Sequence, residues 1–234
     1  MVSNTRFSIA VFPGDGIGQE VIPAAIDVIE AARERIGGFG LDYETLPMGA
    51  GHYRDTGEEM PDETLAKAKA ADAIFLGAIG LPDVRRADGT EISPHLVIRE
   101  ELGLSAGVRP VKAYPNAPVL LADPRAGNID FVIIRESSEG LFHTQGRGEV
   151  RDDKEARETL LITRKTCEKL FDFSFKLAQK RKARGKPGKV TCVDKANVFR
   201  AFAFYRKIFD ERKAHFPDVE AGYSYVDAQA LELV

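Results

Sequence analysis

The first 80 residues alternate between short apolar runs and segments of helical periodicity, and this alternation restricts the fold more than any other feature. Apolar runs at 7–12, around 41–46 and at 73–76 are typical of buried strands. Between them, apolar residues recur at helical spacing over 19–36, and a second helix is predicted over 61–70. Strands that alternate with helices form parallel sheets with helices on their faces. The sequence therefore predicts an α/β fold with mixed or parallel sheets flanked by helices.

The character of the chain changes near residues 103–110, which indicates a domain boundary. A chain of 234 residues is long enough for two modest domains, since single cores usually stop growing at roughly 250 residues. We therefore expect one domain over residues 1–103 and a second over residues 104–234.

The second predicted domain continues the mixture of strands and helices. Its polar, glycine-containing segment at 141–153 is predicted to be a projecting arm or loop. Helical periodicity predicts one long helix over 154–184, with Leu160 contributing to its apolar face. Strands are predicted at 189–193 and 220–226, and a further helical segment is predicted after each of them.

Composition excludes several classes of protein. The formal net charge of −3 gives no reason to expect nucleic-acid binding or electrostatic attachment to a membrane. The basic run at 180–186 lies at the predicted end of a helix, where cations offset exposed carbonyls, and no aromatic residues are interleaved for base stacking. No stretch approaches the roughly 20 apolar residues that span a bilayer, and the two cysteines lack metal-site spacing. We expect a cytoplasmic protein.

Charged side chains follow several apolar runs directly, and these carry most of the functional information. Asp194 and Lys195 end one predicted strand, and Asp227 ends another. Arg109 and Arg135 also lie at the ends of apolar segments. Ligands collect at strand ends in open α/β sheets. Guanidinium groups bind carboxylates through two hydrogen bonds, lysine can transfer a proton, and aspartate can ligate a hard metal ion. This combination predicts an enzyme that acts on a small polycarboxylate.

The glycine-rich segment at 14–18 follows the first predicted strand and opens the first predicted helix. That setting suits a phosphate-cradling loop, but the spacing is G-x-G-x-G rather than the dinucleotide fingerprint G-x-G-x-x-G. Two interpretations therefore stay open for this segment. One is a tight turn between strand and helix, and the other is an anion-binding loop of the Rossmann type.

The four histidines differ in context. His52, His95 and His215 are isolated, and a structural role is expected for each. His143 lies in a polar segment that follows Arg135, so it is a candidate for contact with a substrate.

The order of these motifs resembles the β-decarboxylating dehydrogenases, the family of isopropylmalate, isocitrate, homoisocitrate and tartrate dehydrogenases. The resemblance rests on these segments, in chain order: Phe12-Pro13-Gly14-Asp15-Gly16-Ile17-Gly18, Arg99, Arg109-Pro110, Arg135-Glu136, Val193-Asp194-Lys195-Ala196-Asn197 and Tyr225-Val226-Asp227-Ala228. They span nearly the whole chain. The resemblance implies a two-domain fold distinct from the Rossmann fold, with a cofactor-side first domain and a substrate and dimerisation domain. It also implies a homodimer whose active sites are shared between subunits.

The same resemblance implies roles for individual residues. Arg99, Arg109 and Arg135 would bind the carboxylates of a malate-like dicarboxylate, and Lys195 would transfer a proton. Asp227 would contact the substrate and ligate Mg²⁺ or Mn²⁺. Two more residues would lie near the nicotinamide of NAD or NADP, namely Ile17 and Asn197.

Two departures from the family pattern affect these expectations. The family places a tyrosine, its proton donor to the enolate, seven residues after the third arginine, and Phe142 occupies that position here. His143 beside it is the candidate replacement. The chain also ends shortly after Asp227, before the segment in which the family carries further metal-binding aspartates and its adenosine loop. We therefore expect a C-terminally truncated family member, and a non-catalytic binding or interaction protein is the alternative function.

Substrate preference is predicted from the segment that precedes Arg99. Ser93, with His95 and Leu96 close by, lies on the helix that meets the variable group of the substrate in this family. Polar side chains there favour hydrogen bonding to a polar substituent over packing against an isopropyl group. The sequence thus points towards tartrate or another polar malate.

Overall fold

The computed structural model describes residues 5–118 and 121–233, and the chain divides into two compact units. The first unit comprises residues 1–102 and the second comprises residues 103–234. This division lies one residue from the boundary expected from the sequence.

The first unit is a three-stranded parallel sheet with helices, as the alternating sequence pattern predicts. The sheet order is β2-β1-β3, so the first strand is central, and its residues Ala10 to Phe12 are buried. The seven-residue helix α2 has no counterpart among the predicted elements. In chain order the elements are β1 (Thr5–Gly14), α1 (Gly18–Ile36), β2 (Phe39–Thr45), α2 (Ala50–Thr56), α3 (Asp62–Ala70), β3 (Ala73–Ala78) and α4 (Pro94–Glu101).

The second unit contains two-stranded ladders and a helical core. The ladders β4–β5 and β6–β7 are antiparallel, whereas β8 and β9 run parallel. In chain order the elements are β4 (Gly107–Lys112), β5 (Asp130–Arg135), β6 (Glu149–Arg151), β7 (Glu155–Arg157), α5 (Arg164–Lys182), β8 (Lys189–Asp194), α6 (Arg200–Lys213), β9 (Glu220–Tyr225) and α7 (Val226–Glu232).

An aromatic cluster forms the core of the second unit. The buried Phe175 of α5 stacks on Phe209 of α6 and on Phe216, with ring centroids 5.2 and 5.0 Å apart. Phe171 contacts the edge of Phe209 at 5.3 Å. Because buried aromatic rings contribute large apolar areas, this cluster fixes α5 and α6 against each other. The adjoining strand β8 contributes the buried Cys192.

The prediction of one helix over 154–184 is wrong at its beginning. Residues 155–157 form strand β7 and pair with β6, and the helix starts only at Arg164. The hydroxyl of Thr163 accepts a hydrogen bond from the amide of Thr166 and caps the helix. Leu160, predicted to lie on the apolar helix face, precedes this cap and is partly exposed. Apolar residues before the cap continue the helical spacing of the sequence, so the spacing alone predicts a helix that is longer than the one observed.

None of the helices in the described part of the chain is both long and apolar enough to cross a membrane.

Asp130 is the first residue of β5, and its carboxylate is expected to make the free energy of unfolding depend on pH in the acidic range. It pairs with Arg181 at 2.8 Å and with Lys186 at 2.5 Å. Hydrogen bonds from Lys186 and Arg181 lower the pKa of Asp130 to about 2. A lowered folded-state pKa contributes stability above the unfolded-state value of about 3.9, and this contribution is lost as the pH falls towards 2.

Asp130→Asn should therefore lose less stability than the wild-type protein between pH 5 and pH 2.5, as measured by the urea midpoint at each pH. Asp153→Asn removes an exposed carboxylate in the β6–β7 turn and serves as the control. Parallel pH curves for wild type and Asp130→Asn would contradict this assignment.

Candidate active site

Arg109 and Arg135 lie on the same face of the β4–β5 ladder. Arg135 is the register partner of Gly107, and Arg109 is the register partner of Ile133. Since side chains alternate along a strand, Arg109 shares its face with Gly107 and therefore with Arg135. The two arginines are diagonal neighbours, whose α-carbons lie roughly 7–8 Å apart in an antiparallel pair. The ladder thus presents two guanidinium groups side by side.

Both arginines are exposed, and neither has a carboxylate within ion-pair distance among residues 5–118 and 121–233. Many other arginines of this chain are paired with acids, including Arg206 and Arg212. Two neighbouring arginines without acidic partners can bind a dianion directly. Arginines in ion pairs must first give up their acidic partners, which makes binding more costly.

The parallel strands β8 and β9 bring Lys195 and Asp227 together. Asp194 and Tyr225, the last residues of the two strands, are register partners, so the segments that follow leave the sheet at the same edge. The Lys195 Nζ atom lies 2.5 Å from Asp227 Oδ1 and 5.8 Å from the centre of the Tyr225 ring. The hydrogen bond from Lys195 lowers the pKa of Asp227 below its ordinary value. This edge therefore holds a lysine and a carboxylate in direct contact.

The buried side chain of Asp194 stabilises this edge through hydrogen bonds. Its side chain is fully buried and accepts two hydrogen bonds from the guanidinium of Arg206, at 2.8 and 2.6 Å. It also accepts one from the amide of Ala196 at 2.8 Å. Arg206 lies over the rings of Tyr223 and Tyr225, with 5.2 Å to each ring centre. One guanidinium therefore connects the end of β8 to two residues of β9, next to Lys195.

The predicted cofactor residue Asn197 lies just beyond Lys195 in an exposed turn. The carbonyl of Lys195 accepts hydrogen bonds from the amides of Val198 and Phe199, which closes the turn. Asn197 lines an open groove of about 670 Å³ together with Arg206 and Tyr225. Its contact with a nicotinamide stays a prediction.

A metal site is not complete within the described part of the chain. No group of three or more His, Cys, Asp or Glu side chains there is arranged to hold an ion. Mg²⁺ and Ca²⁺ prefer several oxygen ligands, and Asp227 offers one carboxylate that is already paired with Lys195. Asp227 alone does not form a metal site, and its role as a ligand stays a prediction.

Arg99 and Ser93 belong to the first unit, at the two ends of α4. Ser93 is the N-cap residue, and its hydroxyl donates to the carbonyl of Glu91 at 3.3 Å. Burial lowers the pKa of His95, and the charge of Arg99 one turn later adds to this effect. The buried Nδ1 atom of His95 has no hydrogen-bond partner in the described structure. The substrate contacts predicted for Arg99 and Ser93 stay predictions.

The glycine-rich segment is a tight turn that backbone hydrogen bonds close. The amide of Asp15 donates to the carbonyl of Ala78, and the amide of Gly18 donates back to the carbonyl of Asp15. A Cβ atom at Gly14 would lie 1.9 Å from the carbonyl oxygen of Ala78, so only glycine fits. The buried carboxylate of Asp15 accepts from three amides of neighbouring loops, those of Ala50, Gly51 and Gly80, at 2.7–2.8 Å.

The carboxylate of Asp15 therefore ties this turn to the two neighbouring loops. The hydrogen bonds of the segment at 14–18 fit the first interpretation, a tight turn between strand and helix, and they do not test the second, an anion-binding loop of the Rossmann type. Ile17 is 60% exposed beside this turn, and its predicted place near the nicotinamide stays a prediction.

Phe142 and His143 lie on a 3-10 turn, Leu141–Thr144, that follows β5. The ring centre of Phe142 lies 5.4 Å from the Cζ atom of Arg135, which places position 142 beside the candidate carboxylate-binding face. His143 is partly buried in the same turn, and its proposed contact with a substrate stays a prediction.

Comparison with known proteins shows the family of this chain. Residues 8–234 match the family model described as isocitrate/isopropylmalate dehydrogenase. The chain belongs to this family. It is 38% identical to the 3-isopropylmalate/3-methylmalate dehydrogenase of Methanocaldococcus jannaschii over 229 residues, which cover 97% of this chain and 62% of the relative. A probable tartrate dehydrogenase/decarboxylase of Bacillus subtilis is 34% identical over 231 residues, 98% of this chain and 63% of that protein.

Solved structures of this family confirm the fold. The isocitrate dehydrogenase of Methylococcus capsulatus superposes with a TM-score of 0.78 at 29% identity, covering 97% of this chain and 62% of that one. The predicted dehydrogenase-family α/β fold is thus confirmed. The chain spans about 62% of the length of such relatives.

Arg206 fixes the strand edge that carries Lys195 but was missed by sequence reasoning. The only available signal for Arg206 was indirect, because a buried aspartate at a strand end requires a compensating charge. Nothing in the spacing identifies which of the many arginines supplies it.

Arg206→Met should destabilise the protein by about 3–5 kcal/mol, because it leaves the buried Asp194 carboxylate without its partner. The double variant Asp194→Asn/Arg206→Met should recover a large part of this loss, since an asparagine oxygen can still accept from the amide of Ala196. Urea unfolding of the wild type, both single variants and the double variant measures the coupling. Additive losses would show that the two side chains do not interact energetically.

Proposed function

We propose that the protein is an oxidoreductase that oxidises a malate-type 2-hydroxy dicarboxylic acid with NAD or NADP, with likeness to isopropylmalate and tartrate dehydrogenases. One observation carries the proposal more than any other. Arg109 and Arg135 present two unpaired guanidinium groups on one face of the β4–β5 ladder. Membership of the isocitrate/isopropylmalate dehydrogenase family supports the reaction class.

The two arginines would bind the carboxylates of the substrate. A guanidinium presents a planar set of N–H donors that matches the two oxygens of a carboxylate. Binding through both ends of a dicarboxylate fixes the hydroxyl-bearing carbon in one orientation, and such positioning lowers the barrier to reaction.

Lys195 would take the proton of the substrate hydroxyl. Its amine lies at a strand end beside Asp227, in the location where α/β sheets commonly bind ligands. An amine that accepts the proton must be uncharged when it does so, and the contact with Asp227 holds the amine at this strand end. The nicotinamide cofactor, when bound, supplies the hydride-accepting chemistry. A divalent metal belongs to the proposal through family likeness, and Asp227 is its proposed ligand.

A homodimer with shared active sites forms part of the proposal. Two exposed apolar side chains lie between Lys195 and the start of α6, namely Val198 at 58% and Phe199 at 54% exposure. Neighbouring exposed apolar residues are typical of protein interfaces. A second copy that covers them would bring Lys195 to the boundary between two chains.

An alternative function is supported by Phe142, because its ring has no proton to donate at a position beside Arg135. A protein that binds the dicarboxylate without turning it over would fit that observation. The two experiments below separate this alternative from the enzyme.

Arg109→Ala and Arg135→Ala should each weaken binding of D-malate or tartrate about 10- to 100-fold, the loss expected for hydrogen bonds to a charged group. Isothermal titration calorimetry measures the dissociation constants. Arg125→Ala is the matched control, because Arg125 is 89% exposed, pairs only locally with Asp123 and has the same charge. An equal loss in the control would indicate general electrostatic attraction rather than a site.

Lys195→Met should lower the rate of Mn²⁺-dependent NAD⁺ or NADP⁺ reduction by about 10²–10⁴-fold, the usual contribution of a general acid or base. Mixing Lys195→Met with Arg109→Ala chains should restore about a quarter of the wild-type rate if subunits exchange into shared sites, because half of the dimers then hold one intact site. Restoration fails if both residues come from one chain. No turnover by the wild type, with dicarboxylate binding retained, would support the binding protein.

A further inference from the structure

The guanidinium of Arg135 has an aromatic neighbour in place of an acidic one. The Cζ atom lies over the Phe142 ring, 5.4 Å from its centre. That distance is within the range in which the negative face of a ring attracts a cation. A ring attracts the charge of the guanidinium without accepting its N–H groups in ordinary hydrogen bonds. The N–H donors of Arg135 therefore stay available for a ligand.

The turn that carries Phe142 is fixed at its first end by Glu139. This carboxylate accepts hydrogen bonds from the amide of Thr163 at 2.8 Å and from its hydroxyl at 2.6 Å. It also accepts one from the hydroxyl of Thr166 at 2.7 Å. Thr163 caps α5, so Glu139 ties the turn to the beginning of the longest helix of the second unit.

Further hydrogen bonds fix the rest of the turn. Gly140 and Leu161 exchange two backbone hydrogen bonds, at 2.8 and 3.2 Å. At the other end, the hydroxyl of the buried Thr144 donates a hydrogen bond to the carboxylate of Glu158 at 3.0 Å. The backbone of Phe142 is thus held between two attachment points, which keeps position 142 beside Arg135.

We propose that Phe142 is a positioning residue, which holds Arg135 ready to bind a substrate carboxylate. This inference rests on the proposed function. Ordering a long side chain during binding costs conformational entropy, and a ring that orders it beforehand lowers that cost. The role requires an aromatic ring and makes no use of a hydroxyl. Phe142→Tyr should therefore keep it, whereas Phe142→Leu should lose it.

The contact between ring and guanidinium is tested first, by NMR of protein labelled with ¹⁵N-arginine. The Nε–Hε signal of Arg135 is assigned by its loss in Arg135→Lys. We expect a ring-current shift of this signal in the wild type and in Phe142→Tyr. In Phe142→Leu the signal should remain but move to a position without the ring-current shift. An Arg135 signal that does not move in Phe142→Leu would overturn the proposed contact, whatever the protein binds.

The effect on binding is tested by calorimetry with D-malate. Phe142→Leu should weaken binding about two- to fivefold, as expected for an exposed cation–π contact, and Phe142→Tyr should bind like the wild type. Phe173→Leu, a change of the same kind at a partly exposed position of α5, should have no effect. Wild-type affinity in Phe142→Leu would overturn the positioning role while leaving the proposed function intact. A wild type that binds no dicarboxylate would instead overturn the proposed function, and the NMR signal would still decide whether the ring orders Arg135.

Discussion

A buried carboxylate is stable in a protein only when other groups compensate for its lost hydration, and Asp194 meets this requirement through Arg206. The pair joins the end of β8 to α6, and the contacts of Arg206 with Tyr223 and Tyr225 extend the connection to β9. Lys195 follows β8 directly, and Asp227 lies in the first turn of α7, which follows β9. The local arrangement of both candidate residues therefore depends on one buried ion pair.

Charge is distributed unequally between the structural and the candidate functional positions. Arginines that hold elements together are paired with carboxylates, as Arg181 is with Asp130 and Arg212 is with Asp172. Arg109 and Arg135 lack such partners within the described ranges 5–118 and 121–233. An unpaired cation weakens the folded protein slightly through repulsion and gains its compensation when an anion binds. This difference separates the candidate site from the many surface ion pairs.

The sequence predicted those features that follow from local patterns. Alternating apolar runs located the parallel sheet of the first unit, and charges directly after strands identified Lys195 and Asp227, whose side chains the structure brings into contact. The helix predicted over 154–184 was wrong because the position of the cap at Thr163 depends partly on Glu139, 24 residues away. The role of Arg206 was equally invisible, since a long-range ion pair leaves no periodic trace in the sequence. Contacts between distant segments are what a single sequence does not contain.

The β6–β7 hairpin shows how strand register can be specified without a buried face. All six of its paired residues are exposed, so apolar burial cannot select the alignment of the two strands. In the observed alignment Glu149 lies opposite Arg157 and Arg151 lies opposite Glu155. A slip of two residues would place Glu149 opposite Glu155 and turn attraction into repulsion. Electrostatic complementarity therefore favours this alignment in addition to the turn at Asp152 and Asp153, and because exposed charges are screened by salt, rising ionic strength should loosen this one element before the aromatic core responds.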